Sequence, residues 1–149
     1  MSIFSIASSG LSAASLRVNV AASNIANVQT TGPLPESGGS SQAASASSPG
    51  IAPTFPAAYV PLRVDQVSQS SGSNPGGTIA TVSTVSPSYT AQFDPSAPYA
   101  NGDGLVAAPN VDIANEFVQL AAAKYSFIAN AKVLQAYAET EKSLLDVTA

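Results

Sequence analysis

Phe4, Ala7, Leu11, Ala14, Val18, Ala21, Ile25 and Val28 recur in alternating steps of three and four. That spacing gathers apolar side chains on one narrow stripe of an α-helix and keeps the stripe toward a partner helix. Near the other end Ile113, Phe117, Leu120, Lys124, Phe127, Ala131, Leu134 and Ala138 keep the same rhythm, with Lys124 as its polar member. The pattern predicts a first helix opened by a Ser2 cap and running to about Asn27, where Thr30, Thr31, Gly32 and Pro33 break it. It predicts a second helix beginning near Val111, capped by Asn110 or Asp112, and continuing to about Leu145.

Between the helices the periodicity changes. Leu34 to Pro56 is rich in Pro, Gly and Ser and poor in apolar residues, which predicts a flexible loop. Tyr59 to Val67 alternates as a strand would, with Val60, Leu62 and Val64 on one face and Pro61 favouring a sheet edge. Thr78 to Val85 is β-branched and pairs with it as a hairpin through Ser71 to Gly77. A short third strand is expected around Tyr89 to Phe93, then a turn-rich connection from Asp94 to Pro109. The expected fold class is therefore α+β: two long terminal helices packing as an antiparallel coiled coil, with a small β-hairpin domain and a flexible Pro/Ser/Gly-rich loop between them.

Composition narrows the function. Only 9% of the 149 residues are charged, against about a quarter in ordinary domains, so neutral polar side chains must cover the surface. The net charge is -4 and the five basic residues, Arg17, Arg63, Lys124, Lys132 and Lys142, are scattered, leaving no basic stripe for a phosphate backbone. No nucleic-acid partner is expected. Cysteine and histidine are both absent, which removes disulfides, the usual nucleophile and base pairs, and ordinary zinc ligation. No apolar run approaches the about 20 residues of a membrane span, so no direct membrane insertion is expected. The first basic residue is Arg17, and Ser5, Ser8 and Ser9 interrupt the early apolar run, unlike a cleaved secretory signal.

The remaining chemistry is sparse. Asp112 with Glu116 and Glu139 with Glu141 sit on or beside the second helix, where capping, dipole or solvated-face roles compete with general-base catalysis. Asn101-Gly102-Asp103-Gly104 has the look of a calcium loop fragment, but the flanking ligand positions fall on Tyr99 and Asn110, so it reads as a turn. No glycine pattern supports phosphate binding, and no cofactor or metal is expected. Asn19, Ser23, Asn24 and Asn27 crowd the second half of the first helix. They are poor helix formers that serve either as a polar helix end or as interhelical hydrogen bonders. Lys124, with Tyr125 beside it, either sets register or snorkels.

Those asparagines also carry a resemblance. Ser9 to Asn27, and Asn24-Ile25-Ala26-Asn27 above all, resembles the N-terminal signature of the bacterial flagellar rod and hook proteins. Pro109-Asn110-Val111-Asp112, then Glu116-Phe117 and Ala129-Asn130-Ala131-Lys132-Val133-Leu134, is similar to the other end of the same family. The short length, with Asp94-Pro95 leading through Asn101 to Val106, points to the FlgC-type proximal branch. Two departures stand out. Tyr125 to Asn130 replaces a common Arg-x-Tyr-Gln-Ala-Asn, and Thr31-Gly32-Pro33 with the following insert replaces Thr-x-Gly-Tyr.

The resemblance implies a non-enzymatic rod subunit, exported by the flagellar type III apparatus without a cleaved signal and polymerised in the periplasm with other rod subunits and copies of itself. The resemblance covers residues 1 to 29 and 94 to 149 and leaves Leu34 to Pro56 uncovered; taken with the pattern along the chain, the expected organisation is a discontinuous helical polymerisation domain (1–29 and 110–149), a flexible low-complexity loop (30–57) and a small β-rich domain (58–109). Subunit packing is then expected at Leu11, Val18, Asn24, Ile25, Asn27, Phe117, Leu120, Phe127, Asn130 and Leu134. The rival expectations are a coiled-coil adaptor or export-associated protein with rod-like termini, and a divergent rod paralogue of a second flagellar system.

Overall fold

A computed structural model describes residues 3–35, 55–70 and 76–148. Helix α1 spans Ile3–Asn27 and α2 spans Ile113–Thr148, with four strands between them. No proline interrupts either helix. The Ser2 cap, most of the Leu34 to Pro56 segment and the Ser71 to Pro75 part of the hairpin loop lie outside the described residues.

Strand β1 (Leu62–Ser68) pairs antiparallel with β2 (Thr78–Thr84) in a register that sets Leu62 opposite Thr84 and Ser68 opposite Thr78. The strand begins three residues later than its alternation suggests, because the Tyr59 N–H donates to Thr30 O at 3.0 Å and Pro61 O accepts from Val85 N at 2.9 Å. Strand β3 (Tyr89–Phe93) pairs antiparallel with β4 (Leu105–Pro109) in a separate sheet. Gly32 adds a bridge on the other edge of β4, exchanging hydrogen bonds of 3.0 and 2.9 Å with Ala107.

The turn-rich connection expected from Asp94 to Pro109 ends at Gly104, since its last five residues are strand β4. Leu105-Val106-Ala107-Ala108 is a continuous apolar run, and Val106, Ala107 and Ala108 are buried. Such runs lack the alternation that marks a one-sided strand. The turn before it is built by Asn101, whose Oδ1 accepts from Asp103 N at 3.0 Å and Leu105 N at 2.8 Å. Gly104 closes that turn at φ +73°, a conformation that costs an L-residue a Cβ clash.

Helix α2 starts at Asp112, not Asn110. The Asp112 carboxylate accepts from Ala114 N at 3.0 Å and Asn115 N at 3.3 Å, the bonding of an N-cap. Asn110 instead donates to Pro87 O.

The chain divides into two compact units, one of residues 1–26, 62–84 and 112–149, the other of 27–61 and 85–111. The first holds nearly all of both helices and the β1–β2 hairpin; the second holds the β3–β4 sheet and the chain around Gly32. Residues 58–109, read from sequence as one β-rich region, are shared between them. In the first unit the buried apolar residues are Ala7, Ala13, Ala14, Val20 and Ala21 of α1 and Ala123 of α2. An alanine-lined inner face permits close approach, but each buried methyl contributes only about 0.8 kcal/mol, less than a buried leucine.

Candidate subunit-packing surface

Within the first unit helices α1 and α2 meet at Gly10, Arg17 and Asn24, among other positions. Near the start of α1, Gly10 lies against the Asn130 amide so closely that a Cβ on Gly10 would fall 2.6 Å from its Oδ1. Asn130 is held there by its own bond to Ser126 O at 2.8 Å. One heptad on, the Arg17 guanidinium donates to Gln119 Oε1. One heptad further, Asn24 donates to Glu116 Oε1 at 2.8 Å. The partners on α2 fall in number as those on α1 rise, so the two helices run antiparallel along this face.

Asn24 carries more than that contact. It is 0% exposed, and its Nδ2 also donates to Leu62 O at 2.7 Å while its Oδ1 accepts from Leu62 N at 3.0 Å. One amide thereby satisfies both backbone groups of the first residue of β1 and a carboxylate on α2. Each bond counts, because a buried polar group left unpaired costs about 1–3 kcal/mol. The hairpin is tied to α1 a second time, where Ser9 Oγ accepts from Thr78 N at 3.1 Å and donates to Ile6 O at 2.7 Å.

Away from these contacts the first unit exposes apolar surface. Phe117 is 57% exposed, Val118 65%, Tyr125 72% and Phe127 44%. Ser15, Val18, Leu120, Lys124, Phe127 and Ile128 line an open apolar groove of about 410 Å³. Lys124 is its charged lining residue, with a stem able to cover hydrocarbon.

Of the residues expected to pack between subunits, Asn24 is buried within the chain, and Leu11, Val18, Ile25, Asn27, Leu120, Asn130 and Leu134 are half-buried. Phe117 and Phe127 are exposed. The inner line of α2 runs through Glu116, Leu120, Ala123, Ser126, Asn130, Leu134 and Tyr137, about one residue away from the predicted seam at several steps. Periodicity does not point to Gly10, Glu116 or the Leu62 backbone. Gly10 had one available signal: a glycine inside a helix costs about 1 kcal/mol relative to alanine, which asks for a reason such as close approach.

The acids weighed for catalysis are engaged elsewhere. Asp112 caps α2, Glu116 receives Asn24, Glu139 receives Gln135 and Glu141 receives the Tyr137 hydroxyl.

A family model described as flagella basal body rod protein matches residues 4–33, and one described as the C-terminal part of the flagellar basal body rod FlgEFG protein matches residues 103–147. The first covers most of α1 and the second covers β4 and nearly all of α2. Over 147 residues, 97% of this chain and 92% of the relative, the sequence is 33% identical to flagellar basal-body rod protein FlgC of Salmonella typhimurium. It is 35% identical over the same span to FlgC of Yersinia enterocolitica. Against FlgC of Borreliella burgdorferi it is 28% identical over 155 residues, covering 99% of this chain and 98% of the relative.

Proposed function

Since the chain belongs to the FlgC-type family of flagellar basal-body rod proteins, and is a structural subunit of that rod rather than an enzyme, we propose that its terminal helices are the polymerising element. Residues 1–29 and 110–149 join neighbouring rod subunits, including copies of this chain, through coiled-coil contacts at Leu11, Val18, Ile25, Asn27, Phe117, Leu120, Phe127, Asn130 and Leu134. The exposed aromatic and aliphatic line on α2 is the observation that carries this reading. A lone subunit gains nothing from keeping Phe117 and Phe127 in water, and such surfaces mark association sites.

The subunit reaches the periplasm through the flagellar type III apparatus without a cleaved signal, and there it transmits torque as part of the rod. Among the described residues no helix is long and apolar enough to cross a membrane.

A strain lacking this chain, complemented either by the full-length protein or by a version without residues 1–28, tests the proposal. Only the full-length protein should restore swimming and be found in purified basal bodies. Incorporation of the truncated version would refute the role given to α1.

A further inference from the structure

Counting α1 in sevens resolves its inner side into three columns: Ala7, Ala14 and Ala21; Ala13 and Val20; and Gly10, Arg17 and Asn24. The alanine column repeats itself, and so does the half-buried column Leu11, Val18 and Ile25. Sliding α1 by one heptad, about 10 Å along its axis, exchanges alanine for alanine and aliphatic for aliphatic in these two columns, and only the Ala13 and Val20 column trades a small side chain for a larger one. Apolar packing alone therefore distinguishes the native register from its neighbours mainly at Ala13.

The third column does not repeat. Gly, Arg and Asn face Asn130, Gln119 and Glu116, respectively. A slide in one direction would bring Arg17 to the place of Gly10, and in the other Ile3; either side chain would collide with the Asn130 amide, where a Cβ has only 2.6 Å. Both slides also remove Asn24 from Leu62 and Glu116, leaving the Leu62 N–H without the Oδ1 that accepts from it. We propose that Gly10 and Asn24 are the register-determining residues of the α1–α2 pair. Gly10 excludes shifted pairings sterically, and Asn24, itself fully buried, rewards the native one through three hydrogen bonds to Leu62 and Glu116. A buried asparagine that sets the register of an otherwise uniform apolar seam is a known use of polar groups in helix pairing.

The absence of cysteine makes the test direct. Ala22→Cys and Lys132→Cys, both at exposed positions on opposite helices, accept spin labels in the full-length chain, and pulsed electron paramagnetic resonance reads their separation. The parent pair should give one defined distance. Asn24→Leu combined with Asn130→Ala, which removes the Asn24 hydrogen bonds and opens the space opposite Gly10 together, should produce a second peak displaced in step with a one-heptad slide, whereas Asn24→Leu alone should keep the native peak. The denaturation midpoint should fall with Asn24→Leu, because the Leu62 and Glu116 groups lose their partner. An unchanged single peak in the double variant would overturn the proposal, as would a parent chain with no defined distance; a second peak in Asn24→Leu alone would overturn the role given to Gly10. If the double variant gives only a broad distribution, Asn24→Ala with Asn130→Ala decides: a second peak supports register control, and a single native peak or another broad distribution refutes it.

Discussion

At Gly104 the backbone stands at φ +73°, and a Cβ there would lie 3.0 Å from Phe93 Cε2 and 3.1 Å from Pro95 Cβ. Gly104→Ala is therefore expected to destabilise the β3–β4 unit by about 1–2 kcal/mol from backbone strain alone, read as a lower urea midpoint. Tyr137 gives a residue-scale prediction in pH. Its hydroxyl donates to Glu141, and that bond, with the carboxylate's charge, holds the phenol above its ordinary pKa. The sign follows from linkage: the contact contributes fully below the unfolded tyrosine value and is lost as pH rises through the higher folded value. Ultraviolet titration against Tyr137→Phe should show a late-ionising tyrosine that Glu141→Gln returns toward its normal range. Residue roles were the least legible part of the sequence. Asn24 was one of four polar residues crowding the second half of the first helix, open to a role as a polar helix end or as an interhelical hydrogen bonder, but its partners lie 38 and 92 positions away, and no local pattern encodes a contact at that separation.

Elements were easier to read, because helical periodicity and capping are local. Both helices fall within a few residues of their predicted ends, and Asp112 was one of two expected caps. Asp112→Ala should cost about 1 kcal/mol and fray the first turn of α2, measurable as faster amide exchange at Ala114 and Asn115, whose N–H groups it receives. Strand β4 escaped the reading for a physical reason. Its apolar run is too short to separate strand from connection by period, and the Asn-Gly-Asp-Gly turn before it and Pro109 at its end both argued for irregular chain. The inner line of α2 differs from the predicted seam because Glu116, Ser126 and Asn130 face α1 through polar contacts or small size, which an apolar count passes over.

For the whole molecule, a chain-order reading groups 58–109 together, whereas the contacts unite 62–84 with the helices and 85–111 with residues 27–61. Each unit is assembled from separated stretches, and hydrophobic patterning carries no information about which stretches meet. Phe117→Ser and Phe127→Ser remove side chains that are 57% and 44% exposed, so the isolated subunit should keep its circular dichroism and lose less than about 1 kcal/mol each. Incorporation into basal bodies should nevertheless fall sharply, and unchanged incorporation with unchanged folding would remove α2's outer face from the interface. With hydrocarbon uncovered along a 36-residue helix and only 9% charged residues to keep copies apart, free subunits are expected to associate as their concentration rises, so a cell that makes this chain faster than it uses it should accumulate aggregates rather than a reserve.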